Sequence, residues 1–346
     1  MFSKKVPILY LAASILFAVV ATYVFVSRHD KNIDEPPVSA ESGRQQDDIV
    51  IQRNKGFKYI SPIIFAEPAT EAVEYNELKN KISIYIAQQK ATSKISAVSV
   101  YVKDFTKSTW FAIDPAEKYY PGSLLKVAVL MTYLRMAESK PKLLNEKYEY
   151  HVSKDFVFPV EHYQSKTVQE GQKYTVNELI DYMIKYSDNR ATLFLENIMD
   201  TTIFKNEFQE MAITEPQFQT PDYMLNAKEY SNIFKALYSA GELRKAASDN
   251  ALALLTQTDF RQGLLKELPV NVIVAHKFGE AGDDHIHELH ESGIVYLNNK
   301  PYMITVMTRG TDWNVQSDVV GHISKMVYDK MNGGTSGSLT YVPAGK

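Results

Sequence analysis

Apolar positions recur along this chain with two different periods, and the period depends on the region. Near both ends, short apolar and aromatic runs bounded by turn residues are typical of strands. Between the ends, apolar positions lie three and four residues apart, which indicates amphipathic helices. The predicted strands lie at 97–104, 108–113, 270–277, 293–297 and 302–308. The predicted helices lie at 71–89, 123–138, 175–184, 191–199, 201–211, 226–239, 248–255 and 315–331.

Three of the helix starts carry capping residues. Thr175 with Glu178, and Asn226 with Glu229, fit the pattern in which two side chains satisfy the free N–H groups of a first turn. Ser248 is predicted to cap the next helix. Strands on both sides of a helical middle predict an α/β protein of the α+β type. Its antiparallel sheet of terminal strands is flanked by helices, with an all-α subdomain inserted.

The start of the chain differs from the rest. Residues 7–26 form an uncharged apolar run, about 30 Å long if helical, which matches the thickness of a bilayer. Lys4 and Lys5 precede it, so we expect a single-pass membrane anchor over 1–27, with the remainder on the extracytoplasmic side of the cell membrane. Secretion after cleavage of this segment is the alternative. The polar, proline-containing stretch 28–55 predicts a flexible linker.

Composition excludes several classes of protein. The 346 residues are 45% hydrophobic and 23% charged, as in globular proteins, and suffice for one large domain. We expect this domain over 56–331 and a disordered tail over 332–346. The formal net charge of -3, without a long basic block, argues against a nucleic-acid partner. The absence of cysteine excludes disulfides, thiolate metal sites and cysteine catalysis.

One helix start in the domain carries a serine and a lysine one turn apart. Pro121 and Gly122 interrupt the preceding chain, and Ser123 and Lys126 then share a face of an apolar helix. A serine hydroxyl needs a base to become a good nucleophile. A lysine can be that base where burial or nearby cations lower its pKa. The same spacing recurs from Ser139, where an intervening proline favours a solvated turn.

Three short motifs stand in the order Ser123-x-x-Lys126, Ser187-Asp188-Asn189 and Lys277-Phe278-Gly279. In this order they resemble the S-x-x-K, S-D-N and K-T-G motifs of class A β-lactamases and penicillin-binding transpeptidases. The resemblance covers roughly residues 71–331, because the order of strands and helices fits as well. A second Ser-Asp-Asn at 248–250 begins a predicted helix and is interpreted as a cap.

The resemblance implies a serine hydrolase that needs no cofactor and no metal ion. Ser123 is then the nucleophile, and Lys126 is its base or the partner of that base. Ser187 is expected to pass a proton to the leaving group.

The same resemblance implies residues that bind the substrate. Asn189 is expected to orient the substrate amide. Lys277 is expected to polarise the serine of the second motif and to attract a substrate carboxylate, with Gly279 in the same motif on the strand. The backbone N–H groups of Ser123 and Glu280 are expected to form the oxyanion hole.

Two positions depart from the family pattern. Phe278 replaces the usual Thr or Ser, and so lacks a hydroxyl for the substrate carboxylate. Ser292 stands where many members carry an arginine for the same carboxylate, and Arg309 or Arg261 is the candidate substitute.

The water-activating carboxylate is the least clear part of the site. Family β-lactamases carry it as a glutamate in an E-P-x-L-N loop, and the interval after Asn189 is short. Glu215, followed by a proline, is the nearest match, and Asp222 is the second. Either can equally be a surface carboxylate after a helix. Without such a base, the acyl-enzyme is expected to turn over slowly.

Histidines and acidic residues are dense at 283–291. His285 and His287 would share one face of a strand, which is compatible with a metal site. The segment is predicted to be a turn between two strands, where solvated polar residues are common, so zinc is not favoured. His290 is the best candidate for a histidine that contacts substrate or forms hydrogen bonds beside the site.

The expected function is hydrolysis of a β-lactam or a related amide through an acyl-enzyme on Ser123. The alternative is a peptidoglycan D-alanyl peptidase acting on a stem peptide, or a penicillin binder that deacylates slowly. A further alternative is a non-catalytic cell-wall-binding protein that keeps the fold without turnover.

Overall fold

The computed structural model describes residues 49–54, 58–59, 61–151, 161–163, 165–216, 223–283, 285–297 and 300–333. The predicted anchor at 7–26 and most of the predicted linker and tail lie outside these residues. In the described part of the chain, no helix combines the length and the apolar character that crossing a bilayer requires.

The strands in the described part of the chain are β1 (Ile49–Arg53), β2 (Ile63–Pro68), β3 (Ile95–Asp104), β4 (Trp110–Ile113), β5 (Lys147–Glu149), β6 (Lys173–Thr175), β7 (Ile273–Gly282), β8 (His287–Tyr296) and β9 (Tyr302–Gly310). Five of them form the central antiparallel sheet, in the order β4-β3-β9-β8-β7. Strands from the two ends of the domain meet where β3 pairs with β9. The predicted sheet of terminal strands is therefore confirmed, and β7 forms one of its edges.

The helices flank this sheet and fill the middle of the sequence. They are α1 (Asn76–Lys90), α2 (Lys126–Ser139), α3 (Val176–Lys185), α4 (Asn189–Ile198), α5 (Thr201–Glu210), α6 (Ala227–Ser239), α7 (Lys245–Leu255) and α8 (Trp313–Met331). The predicted capping boxes form at Thr175 before α3 and at Asn226 before α6, each with the expected glutamate three residues on.

Several local predictions differ from the structure. Ser248 lies inside α7, which begins three residues earlier, so it is not the N-cap. Residues 49–53, within the predicted linker, form β1 because their β-branched residues pair with β2. The predicted turn at 283–291 is wrong for 287–291, which belong to β8. There the carboxylates of Glu288 and Glu291 find partners inside the protein, so a charged sequence still forms a buried strand.

The sheet has a hydrophobic core on each face. Successive side chains of β3 point to opposite faces, so Tyr101 packs in one core while Val100 and Val102 pack in the other. The first core joins the sheet to the helical subdomain through α2, and the second joins it to α1 and α8. Helix α2 is apolar on nearly all sides, as a helix buried within a domain must be. Its burial holds the preceding turn in place.

A buried ion cluster joins β2 to β3 and α6. The Glu67 carboxylate accepts hydrogen bonds from the Tyr101 hydroxyl at 2.8 Å and from Lys235 Nζ at 3.1 Å. Lys103 Nζ lies 3.5 Å from the same oxygen. All three charged side chains are almost completely buried. The Glu67 carboxylate therefore supplies the negative charge that two buried ammonium groups require.

Candidate active site

The turn that carries Ser123 packs directly against β7 because two glycines let the backbones approach closely. Gly122 has φ +51°, and a Cβ there would lie 2.1 Å from the carbonyl oxygen of Glu280. A Cβ on Gly279 would lie 2.6 Å from the carbonyl oxygen of Pro121. Gly279 thus acts through its lack of a side chain, which brings the turn of Ser123 against the strand edge at Glu280.

Ser123 and Lys126 line the same cleft. The predicted helix from Ser123 begins at Lys126, because the four residues Gly122–Leu125 form a tighter 3₁₀ turn. Among the described residues, the ammonium group of Lys126 donates to the Ser187 carbonyl, to Ser187 Oγ at 3.1 Å and to Asn189 Oδ1 at 2.7 Å. The first and second motifs are therefore joined through the lysine.

Burial changes the acid–base character of Lys126. Its side chain is 4% exposed, with Nζ 3.8 Å from Oε1 of Glu161. Burial lowers the pKa of Lys126 to about 8, although the carboxylates of Glu161 and Asp188 act in the opposite direction. At pH 7, Lys126 is then a neutral amine in about a tenth of the molecules. The neutral amine is the form that can accept a proton.

The backbone of Ser187 is in the left-handed region, with φ +56°, which residues other than glycine seldom adopt. Asp188 fixes this turn. Its carboxylate accepts hydrogen bonds from the Arg190 N–H at 3.0 Å, the Thr167 hydroxyl at 2.9 Å and the Val168 N–H at 2.9 Å. The turn between α3 and α4 is thereby held in the conformation that brings Ser187 to the two lysines.

Lys277 reaches the same hydroxyl from β7. Its Nζ donates to Ser187 Oγ at 2.9 Å and to the Phe278 carbonyl at 2.9 Å. Burial, together with the charge of Lys126, holds the pKa of Lys277 well below its usual range. A hydroxyl can accept two hydrogen bonds and donate one. Since both lysines donate to Ser187 Oγ, its own proton remains available to another acceptor.

A cleft of about 480 Å³ opens in front of these groups. Helix α4 contributes residues at positions one, four, five and eight, which lie on one face of a helix. The lining residues are Gly122, Ser123, Leu125, Lys126, Glu161, Asn189, Thr192, Leu193, Glu196, Glu280, Ala281, Gly282 and Trp313. Asn189 lines this cleft and accepts a hydrogen bond from Lys126 with its side-chain oxygen, so its NH₂ group is not used in that contact.

The side chain of Glu280 holds the short segment 161–163 at the cleft. Its carboxylate accepts hydrogen bonds from the backbone N–H groups of His162 at 2.8 Å and Tyr163 at 2.9 Å. Trp313 stacks on His162 with ring centroids 5.1 Å apart. These contacts place Glu161 among the residues that line the cleft.

The profile of the β-lactamase enzyme family matches residues 77–331. This span includes all three motifs and the whole central sheet. The chain belongs to the β-lactamase enzyme family. The family resemblance expected from the motifs is confirmed.

Solved structures of β-lactamase-like proteins share the fold. A mutant of PBP-A, solved as an acyl-enzyme complex with penicillin G, matches with a TM-score of 0.62 and 17% identity, over 75% of this chain and 97% of that one. The TLA-1 extended-spectrum β-lactamase matches with a TM-score of 0.62 and 18% identity, over 74% and 99% of the two chains. A β-lactamase from Chitinophaga pinensis DSM 2588 matches with a TM-score of 0.62 and 19% identity, over 73% and 100%. No curated protein was found to match the sequence.

All seven principal residues predicted from the motifs come together in this β-lactamase fold. They are Ser123, Lys126, Ser187, Asn189, Lys277, Gly279 and Glu280. Their roles in catalysis stay predictions. The positions of the side chains are compatible with those roles, and Gly279 and Glu280 have additional structural contacts that the motifs did not predict.

The two departures from the β-lactamase pattern are also explained by contacts. Phe278 is 2% exposed and stacks on Phe260, with ring centroids 4.1 Å apart. Ser292 is fully buried, and its hydroxyl lies 2.6 Å from the hydroxyl of Thr305. Neither position offers a free polar group to a substrate. The candidate substitute Arg309 is engaged by the side chains of two glutamates and a carbonyl oxygen.

The predicted water-activating carboxylates gain no support. Glu215 is not among the residues that line the cleft, and its carboxylate accepts a hydrogen bond from the Gln209 amide at 3.2 Å. Asp222 lies outside the described residues. The cleft is instead lined by Glu161 and Glu196, which sequence reasoning missed. Glu196 follows Asn189 by seven residues on one helix face, which was a usable signal. Glu161 lies in an irregular segment and had none.

The histidines near the site have different environments. His290 is fully buried, and its Nε2 lies 3.1 Å from the carbonyl oxygen of Tyr120, just before the turn of Ser123. His290 therefore forms a hydrogen bond beside the site, as expected. His287 stacks on Trp313 with ring centroids 4.5 Å apart. His285 precedes β8, so it does not share a strand face with His287.

Proposed function

We propose that this protein is a serine hydrolase that acylates Ser123 with a β-lactam or a related amide and then hydrolyses the acyl-enzyme. One observation carries the proposal. The hydroxyl of Ser187 receives hydrogen bonds from both Lys126 and Lys277, beside a cleft that Ser123 lines. A serine, a lysine with a lowered pKa and a second hydroxyl are the groups that acyl transfer to an oxygen requires.

In the acylation step, the neutral amine of Lys126 takes the proton of the Ser123 hydroxyl while Oγ forms a bond to the substrate carbonyl carbon. The N–H groups of Ser123 and Glu280 stabilise the resulting oxyanion. The bond from carbon to nitrogen then breaks as Ser187 gives its proton to the leaving nitrogen. Lys126 returns the first proton to Ser187 across their 3.1 Å hydrogen bond, so protons balance over the step.

In the deacylation step, water attacks the acyl carbon and the bond to Ser123 Oγ breaks. Glu161 is the base for this water. Two observations support this role: Glu161 lines the cleft, and its Oε1 lies 3.8 Å from Nζ of Lys126. Burial raises the pKa of Glu161 although the charge of Lys126 opposes it, and a raised pKa favours proton acceptance from water. The proton taken from water then returns to the serine oxygen through Lys126.

A fluorescent penicillin and intact mass spectrometry test the proposal. The wild type should gain the mass of the probe at Ser123, and Ser123→Ala should gain none. Ser139→Ala is the matched control, because Ser139 has the same spacing to a lysine but ends α2 at the exposed surface. An adduct that survives Ser123→Ala would refute the assignment of the nucleophile.

A penicillin-binding peptidase is the second candidate function. It is favoured by one observation, that Glu215, the nearest match to the family's water-activating glutamate, does not line the cleft, and it requires that Glu161 does not take over this role. Labelling that persists for hours supports the peptidase, whereas labelling followed by release of the hydrolysed probe supports the β-lactamase. A wild-type protein that is never labelled would instead fit the non-catalytic wall-binding alternative.

We also propose that the hydrolase domain works outside the cytoplasmic membrane, held there by residues 7–26. The support is the uncharged apolar run after Lys4 and Lys5. Cell fractionation with protease added outside the membrane tests it: a full-length protein in the membrane fraction that is degraded from outside is expected. A shorter protein in the medium would indicate cleavage of the segment instead.

A further inference from the structure

Phe278, directly after Lys277, stands where the family motif has a Thr or Ser, and its ring is buried against other side chains. Phe278 is 2% exposed and contacts both the ring of Phe260 and the ammonium group of Lys277, which lies 4.0 Å from the Phe278 centroid. Tyr163 packs edge-on against Phe278, with centroids 6.3 Å apart. The segment held by Glu280 therefore covers this part of β7 with aromatic rings.

Cations are scarce at the cleft surface. Lys277 is completely buried, and two of its donors go to Ser187 Oγ and the Phe278 carbonyl. Arg309 has its guanidinium engaged by Glu288 at 2.7 Å and by other acceptors. Among the described residues that line the cleft, Lys126 is the only cation, and its hydrogen bonds go to the second motif. Neither Arg309 nor Arg261 is among the described lining residues, so an anionic group on a substrate would find no available positive partner within that set.

Carboxylates are abundant in the same cleft. Glu161, Glu196 and Glu280 all line it. Glu280 is held by two backbone N–H groups, and Glu161 lies near Lys126. Glu196 forms no salt bridge within the described part of the chain, and burial raises its pKa although the charge of Lys126 acts in the opposite direction. A cation placed beside Glu196 would stabilise the ionised carboxylate.

We propose that the acyl donor for Ser123 carries no carboxylate beside its scissile bond and bears a cationic group. This inference rests on the proposed acylation of Ser123 and names the class of substrate for it. Clefts lined by charge of one sign attract ligands of the opposite sign and repel those of the same sign. With Glu161, Glu196 and Glu280 against Lys126, the described lining of the cleft is electronegative whenever the carboxylates are ionised.

Three forms of one probe isolate the effect of substrate charge. Benzylpenicillin carries a carboxylate, its methyl ester is neutral and its diethylaminoethyl ester is cationic, while the reactive ring is the same. The second-order rate constant for Ser123 adduct formation, followed by intact mass, should rise about tenfold from the acid to the methyl ester and again to the cationic ester. The differences should shrink in about 0.5 M salt, because salt screens charge.

A matched pair of variants assigns the effect to the cleft. Glu196→Gln removes one charge with little change in shape and should lower the ratio of cationic to neutral ester rates by about threefold or more. Glu215→Gln removes the same charge outside the cleft and should keep the wild-type ratio. Equal ratios in both variants would overturn the role of Glu196.

The outcomes separate this inference from the proposed function. Adducts at Ser123 that form fastest with the free acid would overturn the inference but leave the serine hydrolase intact. No adduct at Ser123 with any of the three probes would refute the proposed function and, with it, the substrate class. Adducts ranked from cation to neutral ester to acid support both.

Discussion

Nζ of Lys126 lies 3.1 Å from Oγ of Ser187, although 61 positions of sequence separate the two residues. The contact forms because α2 begins at Lys126 in the buried core while the turn before α4 presents Ser187 with a left-handed backbone. Lys277 donates to the same oxygen at 2.9 Å. A single hydroxyl therefore connects all three sequence motifs, and the charge state of either lysine affects the other.

Acylation of Ser123 should depend on pH through Lys126. The proton acceptor is the neutral amine, so the rate should rise tenfold per pH unit below the pKa of about 8 and level off above it. Stopped-flow acylation by a fluorescent penicillin from pH 6 to 9 measures this profile. A rate that does not change over this range would contradict Lys126 as the base.

Lys126→Arg tests the same role without removing the positive charge. The guanidinium keeps its proton at any accessible pH, so acylation should fall by about 10² to 10⁴ and the pH profile should flatten. Thermal unfolding of the variant is the control for folding. Acylation that stays within about threefold of wild type would show that another group accepts the proton.

Release of the acyl group should depend on Glu161. Glu161→Gln keeps the shape of the side chain but removes the base, so the acyl-enzyme should persist about 10² times longer, while acylation above pH 8 changes little because the Lys126 amine is already neutral there. Glu215→Gln is the control, because Glu215 does not line the cleft. Intact mass spectrometry after removal of excess probe gives both lifetimes. Equal lifetimes in the wild type and Glu161→Gln would exclude this role.

The motif residues could be located from sequence because each lies at the boundary of a strongly patterned element. Ser123 and Lys126 stand where Pro121 and Gly122 end one segment and an apolar helix begins. Such boundaries depend on local propensity, which sequence records directly. The exact start of the helix could not be predicted in this way, because the 3₁₀ turn over Gly122–Leu125 depends on its packing against β7.

Other parts of the site depend on contacts between distant segments and could not be predicted. Glu161 reaches the cleft because the next two residues, His162 and Tyr163, donate their N–H groups to the carboxylate of Glu280, which is more than a hundred residues away in sequence. β8 begins at His287 although its sequence is rich in charge, because Glu288 pairs with Arg309 on β9. In both cases the partner that makes a polar segment ordered is far away in sequence.

Gly122→Ala should disrupt the junction between the nucleophile turn and β7. A Cβ would lie 2.1 Å from the Glu280 carbonyl, and φ +51° is strained for alanine, so we expect a loss of about 3 kcal/mol or more in stability. Gly171→Ala is the control, with φ +73° but open space around the new Cβ, and should cost about 1 kcal/mol. Urea denaturation measures both. Equal losses in the free energy of unfolding would mean that the close packing of Gly122 against β7 does not contribute to stability.

Glu67→Gln should destabilise the domain because it removes the charge between two buried ammonium groups. Lys235 and Lys103 would keep their burial without a carboxylate at 3.1 Å and 3.5 Å, and breaking a buried pair in this way typically costs about 3–5 kcal/mol. Glu74→Gln is the matched control, since Glu74 pairs with Lys107 at the surface, where such a pair contributes about 1 kcal/mol or less.

The same variant should change the response to acid. Burial works to raise the pKa of Glu67, but the charges of Lys235 and Lys103 outweigh it, and the pKa lies below its ordinary value of 4.5. A carboxyl whose pKa is lowered by folding contributes stability above its unfolded pKa, and this stability is lost as the pH falls through the folded value. The wild type should therefore lose more stability than Glu67→Gln when the pH falls below about 4.5. Parallel stability curves for the two proteins in acid would contradict an ionised Glu67 in the folded domain.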